Sequence, residues 1–128
     1  KKIIKFRNPF NHMTVAYKKS SVLSVGGYPE LFLKGDYGLW INLVAAKKKI
    51  INLNETLVNA TTGSAMIKRR GGFEYIISEY LLQIHLLKNR LTDLISAIII
   101  FSLRSSIFLL PTYLRSIIYT KLLRTKQH

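Results

Sequence analysis

The sequence predicts an α/β chain, in which a short segment of strands and helices is followed by a basic and mostly helical tail. Three observations point to this class: an alternating apolar run, an apolar stripe with helical spacing, and a change of composition after residue 64. The chain has 128 residues and 48% of them are hydrophobic, so it can build one folded core. We therefore divide it into residues 1–63 and residues 64–128.

Three short strands are predicted in the first part. Residues 13–17 alternate between larger apolar and smaller side chains, which is the period of a half-buried strand. The runs 50–53 and 56–58 are rich in Ile, Leu and Val. These strands are too few for a closed sheet, so we expect further chain to precede Lys1.

A helix is predicted over residues 36–47. One stripe of this helix carries the apolar residues Leu39, Trp40, Leu43 and Val44. Asp36 at the start of the helix has two interpretations. It is either an N-cap, whose carboxylate accepts hydrogen bonds from the backbone, or a general base held on a rigid element. Composition alone favours the N-cap.

The tail is predicted to contain three helices. The first has about twenty residues and follows Arg69-Arg70-Gly71-Gly72, the second is nearly apolar and covers 94–110, and the third is basic and amphipathic and follows Pro111. The expected apolar side of the first helix consists of Tyr75, Ile76, Tyr80, Leu81, Ile84, Leu87 and Leu91. Arg104 interrupts the second helix before it reaches the length of about twenty residues that a bilayer span needs. Apolar excess combined with basic charge favours binding in the plane of a membrane, and the alternative is packing against another part of a protein.

The charge balance narrows the class of partner. Twenty Lys and Arg residues stand against six acidic residues, so the net charge is +14. This excess indicates an anionic partner, which is membrane lipid, nucleic acid or a phosphorylated substrate. Arg69 and Arg70 precede a helix and could bind phosphate there, although a solvated basic turn has the same composition.

Metal and disulfide chemistry find little support in the sequence. The chain has no cysteine, which excludes disulfides and thiolate metal sites. No set of His, Asp and Glu residues has the spacing of a metal site. His12, at the start of the first predicted strand, is by its residue type more often a hydrogen-bonded structural residue than a ligand.

Four short elements occur in a fixed order along the chain. They are Arg7-Asn8-Pro9-Phe10-Asn11-His12-Met13-Thr14-Val15, Tyr17-Lys18-Lys19-Ser20, Gly26-Gly27-Tyr28-Pro29 and Asp36-Tyr37-Gly38-Leu39-Trp40. Together they resemble the second half of bacterial family-2 glycosyltransferases. The closest resemblance is to enzymes that build capsule, exopolysaccharide and O-antigen repeat units, amylovoran-type enzymes included. The Arg-Arg-Gly-Gly element and the Pro-interrupted basic end of the tail resemble the same family.

The resemblance implies a fold, a chemistry and a set of site residues. The fold would be the C-terminal portion of a GT-A nucleotide-diphospho-sugar transferase domain, and the reaction would invert the anomeric carbon of the donor sugar. Asp36 matches the Asp of a Glu-Asp motif in which the Asp deprotonates the acceptor hydroxyl, whereas Gly35 replaces the usual Glu. The substrate-binding residues would be His12, Trp40, Arg69 and Arg70.

The resemblance also implies what the 128 residues lack. The donor-binding half of the family, with its Asp-x-Asp metal motif, is not in this sequence. We therefore expect residues 1–63 to be the acceptor-side part of the enzyme and residues 64–128 to be a membrane-associating tail. The chain alone is expected to be inactive, and a Mg or Mn ion is expected to be held mostly by residues outside it.

The expected partners follow from this resemblance. They are a nucleotide-sugar donor, a saccharide or lipid-linked acceptor, and the anionic cytoplasmic face of the bacterial inner membrane, where the protein would be peripheral. No nucleic acid is expected. The alternative function is a non-enzymatic basic module that binds anionic lipid or nucleic acid, which accounts for the charge but not for the ordered elements.

Overall fold

A computed structural model describes residues 3–59 and 71–118. Within these two ranges the chain forms two short 3₁₀ helices, Ile3–Lys5 and His12–Thr14, and five α-helices. The α-helices are α1 (Lys19–Leu23), α2 (Gly35–Ala45), α3 (Phe73–Lys88), α4 (Leu94–Leu109) and α5 (Thr112–Ile118).

The predicted α/β class is wrong for the described residues, which form helices and no β-strand. The first predicted strand begins inside a 3₁₀ helix, whose N-cap Asn11 accepts a hydrogen bond from the backbone N–H of Met13. The runs 50–53 and 56–58 contain neither helix nor strand, and Ile51 is 70% exposed. A strand requires a second strand that exchanges backbone hydrogen bonds with it. No described segment supplies that partner, so the alternating pattern alone does not produce a sheet.

Helix α2 forms the centre of the core, and its predicted position is confirmed. Its buried residues are Tyr37, Gly38, Leu39, Trp40, Ile41 and Leu43. These side chains surround most of the helix rather than one stripe, since the N-terminal segment packs on one side through Ile4 and α3 packs through Leu82 and Leu86. The hydroxyl of Tyr37 donates to the backbone oxygen of Ile4 at 2.5 Å and ties the N-terminal segment to α2.

Helices α3 and α4 form an antiparallel hairpin. Tyr75 on α3 packs against Phe108 on α4 with ring centroids 5.5 Å apart, and Tyr80 packs against Phe101 at 6.2 Å. The later residue of α3 thus meets the earlier residue of α4, so the two helices run in opposite directions. Asp93 caps α4 by accepting a hydrogen bond from the Ser96 N–H at 2.8 Å.

The buried face of α3 differs from the predicted one. The buried residues are Ser78, Glu79, Leu82, Gln83 and Leu86, whereas the residues expected on the apolar side are half-buried or, for Tyr80, exposed. A hydrophobic pattern cannot identify this face, because the face contains the carboxylate of Glu79. In the structure Glu79 is fully buried, since it pairs with two cations contributed by other segments.

These cations are Lys34, which precedes α2, and Arg104 on α4. Arg104 Nη1 donates to both carboxylate oxygens of Glu79, at 2.9 and 3.0 Å, and Lys34 Nζ binds Oε2. Arg104 also donates to the backbone oxygen of Phe6. This cluster of Lys34, Glu79 and Arg104, which we call the buried ion cluster, joins the start of α2, both hairpin helices and the N-terminal segment.

The buried ion cluster shifts the titration of its members. Burial opposes the charge of Glu79, but the cations Lys34 and Arg104 outweigh it and hold the pKa of Glu79 below its ordinary value. Burial lowers the pKa of Lys34, because the attraction of Glu79 does not fully compensate it and Arg104 repels it. Both cations therefore act as counter-ions of Glu79, and Arg104 is the one that reaches both of its carboxylate oxygens.

Gly38 allows the loop before α2 to pack directly on that helix. A Cβ at Gly38 would lie 2.5 Å from both Leu31 Cδ1 and Pro29 Cγ, which is closer than atoms can approach. At Gly35 the nearest atom to such a Cβ is the Pro29 oxygen at 3.6 Å, an ordinary contact. The two glycines thus have different roles in the same helix.

We expect Gly38→Ala to destabilise the protein by about 1–2 kcal/mol, because overpacking outweighs the usual gain from alanine in a helix. Urea unfolding would measure this change. Gly35→Ala is the matched control and should be neutral or slightly stabilising. Equal stabilisation by both substitutions would contradict the packing of the loop on α2.

We expect Glu79→Gln to cost about 3 kcal/mol, because it leaves Lys34 and Arg104 buried without a counter-charge. The folded-state pKa of Glu79 is below the ordinary value of 4.5, so its contribution is fully present above about pH 4.5 and is lost as the pH falls through the lower folded value. Urea unfolding at a series of acidic pH values should therefore show a steeper loss of stability in the wild type than in Glu79→Gln. The exposed Glu55→Gln is the control, and an identical pH dependence in wild type and Glu79→Gln would contradict the role of the cluster.

Candidate active site at the start of helix α2

Asp36 lies in the first turn of α2 but does not cap it. The N-cap is Lys34, which makes no side-chain cap bond, and Asp36 is the second residue of the helix. Its Oδ2 instead accepts a hydrogen bond from Asn8 Nδ2 at 3.1 Å. The N-cap interpretation is therefore wrong, and the carboxylate is available for an interaction outside the helix. Its place at the positive end of the helix dipole favours the negative charge.

Asn8 fixes the orientation of this carboxylate. The Asn8 Oδ1 atom accepts a hydrogen bond from the Phe10 N–H at 3.2 Å, so its NH₂ group must face Asp36. Because Asn8 occupies Oδ2, the other oxygen of Asp36 has no hydrogen-bond partner in the part of the chain that the structure describes. That oxygen can accept a proton from an incoming hydroxyl group.

An aromatic cluster adjoins Asp36. Trp40 is buried beneath Phe10, at a centroid distance of 5.5 Å, and beneath Tyr17, at 6.3 Å. Tyr17 and Tyr28 join through their hydroxyl groups, whose oxygens are 3.2 Å apart, and the ring of His12 meets Tyr28 edge to face at 5.9 Å. The buried Trp40 thus supports the half-buried ring of Phe10 and the exposed ring of Tyr17.

The pKa of Tyr28 rises to about 12. Its hydrogen bond with Tyr17 is the largest cause, and burial and the charge of Asp36 act in the same direction. The Tyr28 hydroxyl is therefore uncharged at neutral pH. The site therefore combines one carboxylate with neutral hydroxyl groups.

The chain is similar in sequence to several bacterial proteins. The chain is 45% identical over 127 residues to an uncharacterized glycosyltransferase of Haemophilus influenzae, and the match covers 95% of this chain and 46% of that protein. It is 38% identical over 123 residues to the UDP-Gal:alpha-D-GlcNAc-diphosphoundecaprenol beta-1,3-galactosyltransferase of Escherichia coli, with 96% and 45% covered. It is 34% identical over 119 residues to the amylovoran biosynthesis glycosyltransferase AmsE of Erwinia amylovora, with 91% and 44% covered.

The chain is homologous to bacterial glycosyltransferases of polysaccharide biosynthesis. The resemblance predicted from the ordered sequence elements is thereby confirmed. The glycosyltransferase chain spans about half the length of the curated relatives that it matches. No protein-family model matches it, and no solved structure matches it.

The structure brings together three of the five site residues predicted for this glycosyltransferase chain. Asp36, Trp40 and His12 meet through Asn8, Phe10 and Tyr28, whereas Arg69 and Arg70 lie outside the described residues. The sequence analysis missed Asn8, Tyr17 and Tyr28 as site residues. All three belong to the ordered elements of the resemblance, and that membership was the signal that could have identified them.

The described residues of the glycosyltransferase chain do not fit a divalent metal ion. Ranges 3–59 and 71–118 contain no group of three or more His, Asp or Glu side chains that could hold one. The group that Asn8 turns toward Asp36 is its NH₂, which cannot coordinate a cation, because the Asn8 oxygen accepts from the Phe10 N–H.

Proposed function

We propose that the chain supplies the acceptor side of an inverting glycosyltransferase in surface-polysaccharide synthesis, with Asp36 as the general base. The observation that carries this proposal is the carboxylate of Asp36, which Asn8 orients and whose second oxygen is open beside exposed aromatic rings. Homology to glycosyltransferases over nearly the whole chain supports it.

The reaction would proceed by a single displacement. The open oxygen of Asp36 takes the proton of the acceptor hydroxyl as that hydroxyl oxygen forms a bond to the anomeric carbon of the donor sugar. The bond from that carbon to the nucleoside diphosphate breaks on the opposite face, so the configuration inverts and the diphosphate leaves with the electron pair. Asn8 holds the carboxylate in one orientation, which reduces the entropy lost at the transition state.

The nucleotide-sugar donor would be bound by residues outside this chain, together with any metal ion that assists departure of the diphosphate. Arg69 and Arg70 remain predicted contacts to that diphosphate. The fold does not require glycine at position 35, because a Cβ there would meet only one atom, at 3.6 Å. Gly35 in place of the usual Glu therefore leaves open space beside the helix. In this proposal Gly35 widens the acceptor side beside Asp36.

The hairpin provides a membrane-binding surface in this proposal. Arg104 turns toward Glu79 on α3, so the opposite side of α4 is uninterrupted by charge. Ile95, Ile99 and Leu103 are 72, 53 and 63% exposed on α4. None of the helices in the described ranges is long and apolar enough to cross a bilayer. An exposed apolar face in a chain of charge +14 suits peripheral binding to an anionic leaflet, the cytoplasmic face of the inner membrane.

A non-enzymatic basic module for anionic lipid or nucleic acid is the weaker alternative. It explains the net charge, but it gives no role to the orientation of Asp36 by Asn8. Glycosyltransferase relatives over more than nine-tenths of the chain also favour the enzyme.

We expect Asp36→Asn in the full-length protein to lower sugar transfer by about 10²–10⁴-fold, because the amide cannot accept the hydroxyl proton. The assay uses membranes from a strain that lacks the gene, which contain the native acceptor, and follows incorporation of labelled sugar from nucleotide-sugar donors. Donor binding should be unchanged. Turnover at the wild-type rate would remove the base assignment.

Asp93→Asn is the matched control for this substitution, because asparagine caps a helix as well as aspartate does. Asn8→Ala should give an intermediate loss of about tenfold, since Asp36 keeps its charge but loses its orientation. An Asn8→Ala enzyme with full activity would show that the hydrogen bond to Asp36 has no role in turnover.

We expect Ile99→Glu to weaken binding of the full-length protein to anionic liposomes by at least about tenfold. The substitution places a charge on the apolar surface that would be buried in the membrane. Co-sedimentation with phosphatidylglycerol vesicles measures the bound fraction. The control is Ile51→Glu, which changes an isoleucine outside the hairpin that is 70% exposed, against 53% for Ile99. Equal losses in both variants, or none in either, would assign the exposed face of α4 to contact with another part of the protein.

A further inference from the structure

Tyr17 and Tyr28 differ from the tyrosine that the core contains. The hydroxyl of Tyr37 is buried and donates to a backbone oxygen, which is the usual arrangement of an interior tyrosine. Tyr17 and Tyr28 are 47 and 43% exposed, and their hydroxyl groups bind each other at the surface. Packing explains why the ring of Tyr17 contacts Trp40, but it does not explain why the two hydroxyl groups are paired at the surface.

The pair is held rigidly in place. Trp40, which is 3% exposed, lies beneath Tyr17, and the edge of His12 meets Tyr28. Pro29 follows Tyr28 directly and packs against α2 at Gly38, so the loop that carries Tyr28 is anchored on the helix that carries Asp36. A rigid aromatic surface loses little conformational entropy when it binds a ligand.

The chemistry of the surface selects the ligand. Aromatic rings offer an apolar face, and the two hydroxyl groups can both donate and accept hydrogen bonds. A pyranose ring has the complementary parts, since one side presents C–H groups and its edge presents hydroxyl groups. The loop that carries Tyr28 packs at the start of α2, where the Pro29 oxygen lies 3.6 Å from a Cβ placed on Gly35, the residue before Asp36. The negative charge of Asp36 therefore disfavours a phosphate at this position and favours an uncharged ligand.

We propose that Tyr17 and Tyr28, flanked by His12, form a subsite that binds a neutral pyranose ring of the acceptor. The subsite presents that sugar to Asp36 while the charged part of a lipid-linked acceptor points away from it. This inference rests on the proposed function and deepens it, because it names residues that bind the acceptor rather than the donor.

Saccharide binding tests the subsite without requiring turnover. Saturation-transfer NMR on the full-length protein, with irradiation of aromatic protons, would use methyl α-N-acetylglucosaminide as the probe. This probe is chosen because one relative is named for an α-D-GlcNAc diphospholipid acceptor. We expect transfer to the pyranose protons in the wild type and about a tenfold weaker interaction in Tyr28→Ala.

Two further variants separate the rings from the hydroxyl groups. The double variant Tyr17→Phe with Tyr28→Phe keeps the rings and should lose a smaller part of the affinity, and it covers the case in which Tyr28→Ala fails to fold. Tyr80→Ala is the matched control, because Tyr80 is also an exposed tyrosine packed edge to face, against Phe101. Wild-type protein that shows no transfer to the probe, or Tyr80→Ala that weakens it as much as Tyr28→Ala, would overturn the subsite.

Kinetics provide the second measurement. With acceptor lipid extracted from the deletion strain, Tyr28→Ala should raise the KM for acceptor about tenfold and leave the KM for the nucleotide-sugar donor unchanged. A rise in both KM values, or in neither, would contradict an acceptor subsite. Asp36→Asn should still bind the pyranoside, so turnover by that variant would refute the general base while leaving the subsite standing.

Discussion

The arrangement of the helices depends on one buried carboxylate. Glu79 has no exposed surface, and it can remain charged there only because Arg104 reaches both of its oxygens while Lys34 binds one of them. Each partner comes from a different segment, so the ion cluster sets how α2, α3 and α4 lie against one another. It also places two cations around one carboxylate, and the pKa of Lys34 is lowered chiefly by its burial and further by the charge of Arg104.

This cluster connects the hairpin to the candidate active site. Lys34 is the N-cap of α2 and Asp36 is two residues further on, so the residue that meets Glu79 also begins the turn that presents Asp36. From the other side, Asn8 reaches Asp36, and the nearby backbone oxygen of Phe6 binds Arg104. The position of the Asp36 carboxylate is thus defined by contacts on both flanks. In the proposed enzyme, the same hairpin that would contact the membrane supports the base.

The aromatic surface beside Asp36 is built on the core residue Trp40. Trp40 is a core residue, and its buried Nε1 has no hydrogen-bond partner within the described residues. Its function is to support Phe10 and Tyr17, which in turn place Tyr28 and His12 at the surface. Trp40 was predicted as a substrate-binding residue, and in the structure it is 3% exposed and packs against Phe10 and Tyr17. The loop at Pro29 completes this arrangement because Gly38 has no side chain to exclude it.

The sequence by itself determined the positions of two long helices and the family resemblance. Helical spacing located α2 and α4, and the order of short elements identified the glycosyltransferase resemblance, because both signals are local in the chain. Only the tertiary structure decided the rest. The predicted strands at 13–17, 50–53 and 56–58 are not formed in the described residues, since pairing requires a partner that no local pattern specifies. The inward face of α3 and the role of Asn8 depended on Arg104 and Asp36, which lie 25 and 28 residues away and become neighbours only on folding.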